Sequence, residues 1–512
     1  MMLEERARRA AEGVRHGVEL MPARAAAAVP GSYESFLRFE ERRRRNERLT
    51  AIAVAFVLVV AAFAAALGLL RSATRQRPAD TVITPQKVGS LELEWSVGIG
   101  NANAMYSPAV AGDQVLATRK LGEPTGRGET SGTHGELSAY PVECPDPCRP
   151  TWTATTARPV LRMTVQDDVA YVAERATGQP GALLYAFDVH CGSGGATCEP
   201  LWTGQIGAGV KWNSLPLVAS GKVIVASADG VFAFEVGCGT GGDRCEPVWV
   251  AHPGGASAKP GSAILASMAS DGTVYVASPE VIAAFPVDCE AECAPQWIQQ
   301  APGPAQWLTR WHDTLIVGSM VTGRQGAGES NHVWVLPADC PEADGCDVLW
   351  SIETEGQTPV SVAGDVLYVV DQARDIVAYE LPCDESGCRE LWRVPRPLTQ
   401  QVAAEPALVV DGVVYISSWN GYVLAYPVDC ERNCEPIWQT SQAGYGYTYV
   451  TVGAGKVFAG SDRVYTFGVP PVDLEGEGTS GWPGASLPIV PIVIVVLAAV
   501  WLLVRLRRRR FA

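Results

Sequence analysis

The chain has 512 residues, 47% of them hydrophobic, and carries 40 basic against 55 acidic side chains for a net charge of −15. That length accommodates a large domain plus appendages, and the acidic balance argues against nucleic acid as a partner, because phosphate binding rests on clustered Lys and Arg. The basic residues concentrate at the ends: residues 1–50 and 505–512 hold 16 of the 40 basic and 8 of the 55 acidic residues, which leaves residues 71–484 at −23.

Residues 1–50 form an Arg/Glu-rich tail in which 3–20 can make a solvated or juxtamembrane helix with a poor apolar face. Residues 51–70, AIAVAFVLVVAAFAAALGLL, contain no charge over twenty positions, enough to cross a hydrocarbon core as a helix. A cleavable signal peptide is the alternative, weakened by the fifty residues in front and by the full spanning length. A linker, 71–90, leads to a repetitive region, 91–470, and a second linker, 471–484, leads to another apolar run, 485–504, and a basic tail, 505–512. FEERRRRNER before the first run and RLRRRR after the second place both ends in the cytoplasm, although RSATRQR just beyond the first run pulls the other way. The region between the runs then lies outside the cell membrane.

All fourteen cysteines fall in that region, as expected of disulfides in an oxidising compartment. They form seven local pairs: Cys144/Cys148, Cys191/Cys198, Cys238/Cys245, Cys289/Cys293, Cys340/Cys346, Cys383/Cys388 and Cys430/Cys434. Successive first cysteines lie 47, 47, 51, 51, 43 and 47 residues apart. A tryptophan follows each second cysteine at plus four: Trp152, Trp202, Trp249, Trp297, Trp350, Trp392 and Trp438. Self-similarity at this period marks a stacked or circular repeat.

Each repeat reads as four strands without a helix: a small-residue strand such as TPVSVAGD, a β-branched run such as TVYVAS, an apolar run such as GYVLAYPVDC, and the tryptophan segment. That is the pattern of a β-propeller blade. Eight innermost strands are expected, near 106–111, 158–166, 214–219, 262–269, 306–312, 358–363, 404–410 and 447–453. An extra tryptophan strand, LELEWSVG with Trp95, precedes the first blade, and the last blade ends at RVYTFGV without one. If Trp95 supplies the outer strand of blade eight, the ring closes through the chain ends. The fold expected is therefore all-β, an eight-bladed propeller closed by its N-terminal strand and flanked by two transmembrane helices. The cysteine pairs would clamp the hairpin between third and outer strands of each blade, each worth about 2 kcal/mol by loop entropy. Zinc is the alternative for paired cysteines, but its sites need four ligands in fixed geometry. The eight tryptophans, Trp95 included, are expected to pack between blades.

SPAVAGDQVLAT, DGTVYVAS, LLYAFDV and the outer-strand tryptophans resemble the repeats of pyrroloquinoline-quinone (PQQ)-like β-propeller proteins, over residues 91–470. The resemblance implies eight blades, and it covers quinone-dependent dehydrogenases as well as non-catalytic scaffolds and sensor ectodomains. The cysteine-closed loops replace the family's usual Thr-Gly turn. Catalytic members carry a disulfide between adjacent cysteines and a calcium site; no two cysteines here are adjacent, and the aspartate-base and calcium motifs are not found. Neither PQQ nor calcium is therefore expected, since a fold does not carry its relatives' chemistry with it.

The six histidines share no metal-binding spacing, and GxSxG and P-loop motifs are missing. No catalytic residue is expected. Aromatics near the starts of inner strands, Trp212, Trp307, Trp311, His312, Trp419, Asn420, Tyr445, Tyr447 and Tyr449, are the candidates for a binding face; channel packing is the plainer explanation of the same residues. Gly-rich insertions at 119–136 and 320–331 are expected as loops. Both linkers should leave from the face of the cysteine hairpins, putting the membrane there and the binding face opposite. The function expected is that of a membrane-anchored, non-catalytic binding, scaffold or sensor domain for an extracytoplasmic protein or small ligand. A PQQ-dependent membrane oxidoreductase and a transmembrane regulator signalling through the tail are the alternatives.

Overall fold

The computed structural model describes residues 82–470 apart from 99–107, 122–133, 176–179, 211–213, 254–265, 320–330, 341–345, 355–356, 372–374, 385–386, 396–404, 419–420, 432–433 and 441–447. Both apolar runs, 51–70 and 485–504, lie outside the described residues. Among the described residues no helix is long and apolar enough to cross a membrane.

Alternation of small and β-branched residues with Gly/Asp turns favours short antiparallel strands, and these assemble into eight separate sheets. The innermost strands are Ala109–Ala111, Val160–Gln166, Leu217–Ala219, Ala266–Ser270, Ala305–Trp311, Val360–Ala363, Leu408–Val410 and Tyr449–Gly453. The second strands are almost wholly buried, as in Val413–Ser417, which is why they read as unbroken apolar runs. Blade eight consists of Tyr449–Gly453, Lys456–Gly460 and Arg463–Gly468, completed by Glu92–Gly98 from the other end of the chain. Glu92 pairs with Gly468 and Gly98 with Arg463. The eight-bladed ring is thus closed by its N-terminal strand, and both described ends of the chain lie on one face.

Seven disulfides join the local cysteine pairs, one in each of blades one to seven. They are Cys144–Cys148, Cys191–Cys198, Cys238–Cys245, Cys289–Cys293, Cys340–Cys346, Cys383–Cys388 and Cys430–Cys434. Three of their loops do more than clamp their own hairpin. Ala196–Thr197 of the blade-two loop pairs parallel to the outer strand of blade one. Asp243–Cys245 of blade three does the same to blade two, and Ala291–Glu292 of blade four to blade three. Each of these loops therefore adds a fifth strand to the blade before it.

The second cysteines of these clamps fall into two groups. Cys198, Cys245, Cys293 and Cys434 are buried in the junction with the preceding blade. Cys148, Cys346 and Cys388 are only half-buried, and no parallel strand joins their loops to the preceding blade among the described residues. Each has its own local cause. Cys148 rests at the rim of the cluster around Trp95 and Phe458, where blade one meets blade eight. The Cys346 N–H donates to the Gln299 side chain of blade four at 3.1 Å, in place of a backbone carbonyl. Cys388 lies inside the outer strand of blade six itself and its partner Cys383 in the third strand, so the bridge staples that antiparallel pair, with Cys383 at the rim of the cluster between blades five and six.

The tryptophans act at the same junctions. The indole N–H groups of Trp95, Trp152, Trp202, Trp249, Trp297 and Trp392 donate to the carbonyls of Val142, Val189, Val236, Val287, Ala338 and Val428. Every acceptor stands two residues before the first cysteine of the next blade. The ring also meets the next blade's third-strand aromatic, as in Trp152–Phe187 at 6.3 Å and Trp202–Phe234 at 5.9 Å between centroids. Buried indoles need a partner for their N–H, and here that partner belongs to the neighbouring blade. Trp438 makes the corresponding bond to Leu91. Blade eight has no cysteine loop. Its place is taken by residues 82–91, most of which the sequence suggests as linker, through the short helix α1 (Pro85–Val88) and buried Ile83, Val88 and Leu91. Trp350 is the exception. It is only half-buried and makes no such bond among the described residues.

Candidate binding face at the channel mouth

Antiparallel order puts the two-to-three and four-to-one connections on one face of the ring and the cysteine loops on the other. The centre of the first face is spanned by a cluster that sequence reading missed. Arg162 lies on the inner strand of blade two, and Glu405 lies just before that of blade seven. The Arg162 guanidinium donates through Nη2 to both carboxylate oxygens of Glu405, at 2.8 and 2.7 Å, across 243 residues of sequence. It also lies 5.1 Å from the centre of the Tyr449 ring on blade eight. The two charged side chains are 13% and 14% exposed. Burial works against the charge on Arg162, but Glu405 and Tyr449 more than offset it and hold the guanidinium above its ordinary pKa. A kink in the blade-two inner strand between Val160 and Met163 accompanies this placement. The clue in the sequence was an arginine inside VLRMTVQ, a strand otherwise made of apolar and small polar residues.

Around this cluster the inner strands are tied to one another. Thr451 donates to the Pro108 carbonyl at 2.7 Å, and Thr164 to that of Pro216 at 2.5 Å. On the same face, Glu174 is wholly buried at the end of a second strand. It accepts from the backbone N–H groups of Arg158 and Leu183 and from the Tyr185 hydroxyl. Desolvation raises the Glu174 pKa despite these bonds, and burial raises that of Tyr185. The positions following other second strands hold Ser227, Ser278 and Ser418, whose hydroxyls accept from the N–H groups of the same two-to-three turns. Glu174 is thus a larger version of a structural turn cap.

The aromatic candidates separate. Tyr449 joins the Arg162 cluster. Trp307 stands near the start of its strand but is 4% exposed and packs in the core between blades five and six with Ile316, Val333 and Val360. Trp311 and His312 belong elsewhere: they form the turn between first and second strands, on the cysteine-loop side, opposite the proposed binding face. His312 takes a positive φ of 47°, the Trp311 indole donates to Asp365 of blade six at 3.1 Å, and His312 lies 3.7 Å from the same carboxylate. An inner strand begins on one face and ends on the other, so its two tryptophans cannot serve one surface. Trp212, Trp419, Asn420, Tyr445 and Tyr447 lie outside the described residues. The insertion at 119–136 is in part strand: Arg119–Leu121 pairs with His134–Glu136, and Arg119 is bound to Glu136.

Among the described residues no group of three His, Cys, Asp or Glu side chains could hold a metal ion. Every cysteine sits in a hairpin disulfide, with none adjacent to another.

No family model and no curated protein matches the chain. Solved structures do match in fold. The computationally designed Ika8 protein aligns with a TM-score of 0.51 at 8% identity, over 72% of this chain and 98% of its own. BamB from Moraxella catarrhalis gives 0.50 at 15% identity, over 74% and 99%. Sqt1 from Saccharomyces cerevisiae gives 0.53 at 10% identity, over 75% and 100%. At these identities the likeness concerns the β-propeller fold alone.

Proposed function

We propose that the chain is a membrane-anchored, extracytoplasmic propeller that binds a protein or small ligand on its channel face and catalyses no reaction. The observation that carries this reading is the Arg162–Glu405–Tyr449 cluster. Ring enzymes assemble their reacting groups at such a mouth, from several blades. Here the groups brought together from three blades satisfy one another and brace a platform instead. In this reading the two apolar runs anchor the ring, whose described ends at residues 82 and 470 lie on the cysteine-loop face. That face is acidic, with Asp113, Asp167, Asp168, Asp271, Asp313, Asp365 and Asp411 in its first-to-second turns. Repulsion from anionic headgroups disfavours direct contact between that face and the bilayer.

Photo-cross-linking amino acids at positions 212 and 447 of the full-length protein in cells, against one at 146 in a cysteine loop, test the reading. Capture of a discrete partner from 212 and 447 but not from 146 supports it, and the reverse pattern overturns the assignment of faces. Dye-linked alcohol or sugar oxidation by the purified protein after addition of PQQ and calcium would overturn the non-catalytic reading. The regulator alternative differs only in whether residues 1–50 engage a cytoplasmic partner.

A further inference from the structure

We propose that the outer edge of blade five is a docking site for an extended, basic and apolar segment of a partner protein, which pairs parallel to Trp350–Thr354 as a fifth strand. This surface is separate from the channel face, so its failure leaves the proposed binding role standing, and the reverse also holds.

The molecule shows the mode of binding three times. On blade one, the N–H groups of Gly195 and Cys198 donate to the carbonyls of Thr151 and Thr153, both at 2.8 Å. On blade three, those of Ala291 and Cys293 donate to Val248 and Val250 at 3.2 and 2.8 Å. The acceptors are the residues immediately before and after the outer-strand tryptophan. On blade five the counterparts are Leu349 and Ser351. The loop that should cover them is that of blade six, and it is folded otherwise. Strands Asp375–Asp384 and Gly387–Pro395 run through Cys383 and Cys388 as one hairpin, and Asp384 pairs with Gly387 in the blade's own sheet.

Three consequences meet at this junction. Among the described residues, Trp350 lacks the indole bond made at the other seven junctions. Leu349 is 55% exposed, whereas its counterparts Leu201, Val248, Leu391 and Ile437 pack half-buried in the inter-blade clusters. Val348, 37% exposed, stands where five repeats carry Pro150, Pro200, Pro247, Pro295 and Pro436. Two of the four large hydrophobic residues exposed among the described residues are therefore adjacent on one sheet edge. Such an edge invites strand addition.

Charge selects the occupant. Asp347 and Glu353 are exposed beside the strip. The arginines of adjoining blade six are held by their own carboxylates: Arg389 by Glu380, and Arg393 by Asp375 and Glu390. The carbonyls of Leu349 and Ser351 call for backbone donors, Leu349 and Ile352 for apolar side chains, and the carboxylates for cations.

The test uses the full-length protein and the peptide acetyl-Lys-Val-Lys-Val-Lys-Val-amide. Binding is expected to slow amide hydrogen exchange at residues 348–354 and nowhere else. Leu349→Asp, N-methylation of alternate peptide amides, and replacement of the lysines by glutamate should each weaken it by about ten-fold or more. Leu349 is exposed, so an unchanged melting temperature for the variant is expected. Protection elsewhere, or equal binding by the N-methylated peptide or by Leu349→Asp, overturns the proposal. Self-association abolished by Leu349→Asp overturns it in favour of a second copy of the chain.

Discussion

Replacing Trp152 by Phe keeps an aromatic ring at the junction of blades one and two but removes its N–H. Trp152 and Val189 are both fully buried, and the bond from the indole to the Val189 carbonyl is 2.6 Å long. The variant leaves that carbonyl without its donor in a site closed to water, at a cost of about 1–3 kcal/mol. Shrinking the indole to a phenyl loses about 1–2 kcal/mol more of buried apolar contact. The expected loss is therefore about 2–5 kcal/mol. Trp350→Phe is the internal control. Its indole is half-buried and makes no inter-blade bond among the described residues, so about 1 kcal/mol or less is expected. Urea denaturation of the full-length proteins, compared at constant slope, reads both losses. Equal losses at the two positions would refute the inference that the indole N–H joins blades at every junction but one.

Four further outcomes are expected. Arg162→Met alone should destabilise by about 3–5 kcal/mol because it strands a largely buried Glu405, and pairing it with Glu405→Leu should recover most of that loss; a double variant no better than the single would show that the cluster does not act as a pair. Gly318→Ala should be strongly destabilising, since a Cβ there would stand 2.0 Å from the Thr358 carbonyl oxygen of the next blade; a wild-type melting curve would disprove that close approach. For Glu174, burial raises the folded pKa above the unfolded value, so its contribution to stability is full below the unfolded value and declines as pH rises through the folded one; Glu174→Gln should gain on the wild type as the pH rises above the ordinary carboxylate range, and a pH-independent difference would contradict this. Removing Cys430 and Cys434 together as Ser should cost about 2 kcal/mol, the value for so short a loop, as measured by the shift in urea midpoint; no shift would leave that bridge without a role in stability.

Much of the ring could be read from periodicity. The constant step from second cysteine to tryptophan marks every outer strand after the first, and Trp95 without a preceding repeat identifies the strand that closes blade eight onto Arg463–Gly468. What escaped depends on chain segments meeting across a junction. A cysteine loop looks like a hairpin clamp in sequence because its spacing is local, yet Ala196 pairs with Trp152 of the preceding blade. Nor does that spacing tell Cys293, buried against blade three, from Cys148, half-buried with the same step to its partner. Residues 82–91 carry no repeat signature, and only the buried faces of Ile83, Val88 and Leu91 against Trp438 reveal that they stand in for an eighth loop. Arg162 and Glu405 are 243 residues apart, and no local pattern links them. Trp311 and His312 could have been placed correctly. WHD occupies the turn position where four other repeats carry Asp-Gly or Gly-Asp, and the turn lies on the far face from the strand's start.

A disulfide-stapled ring held outside the membrane by two spans is the central claim. Labelling intact cells with a membrane-impermeant reagent tests it directly, using one tag inserted within residues 122–133 and another at the N-terminus of the full-length protein. The propeller tag is expected to be labelled on intact cells while the N-terminal tag reacts only after lysis. Labelling of the N-terminal tag with protection of the propeller tag would contradict it.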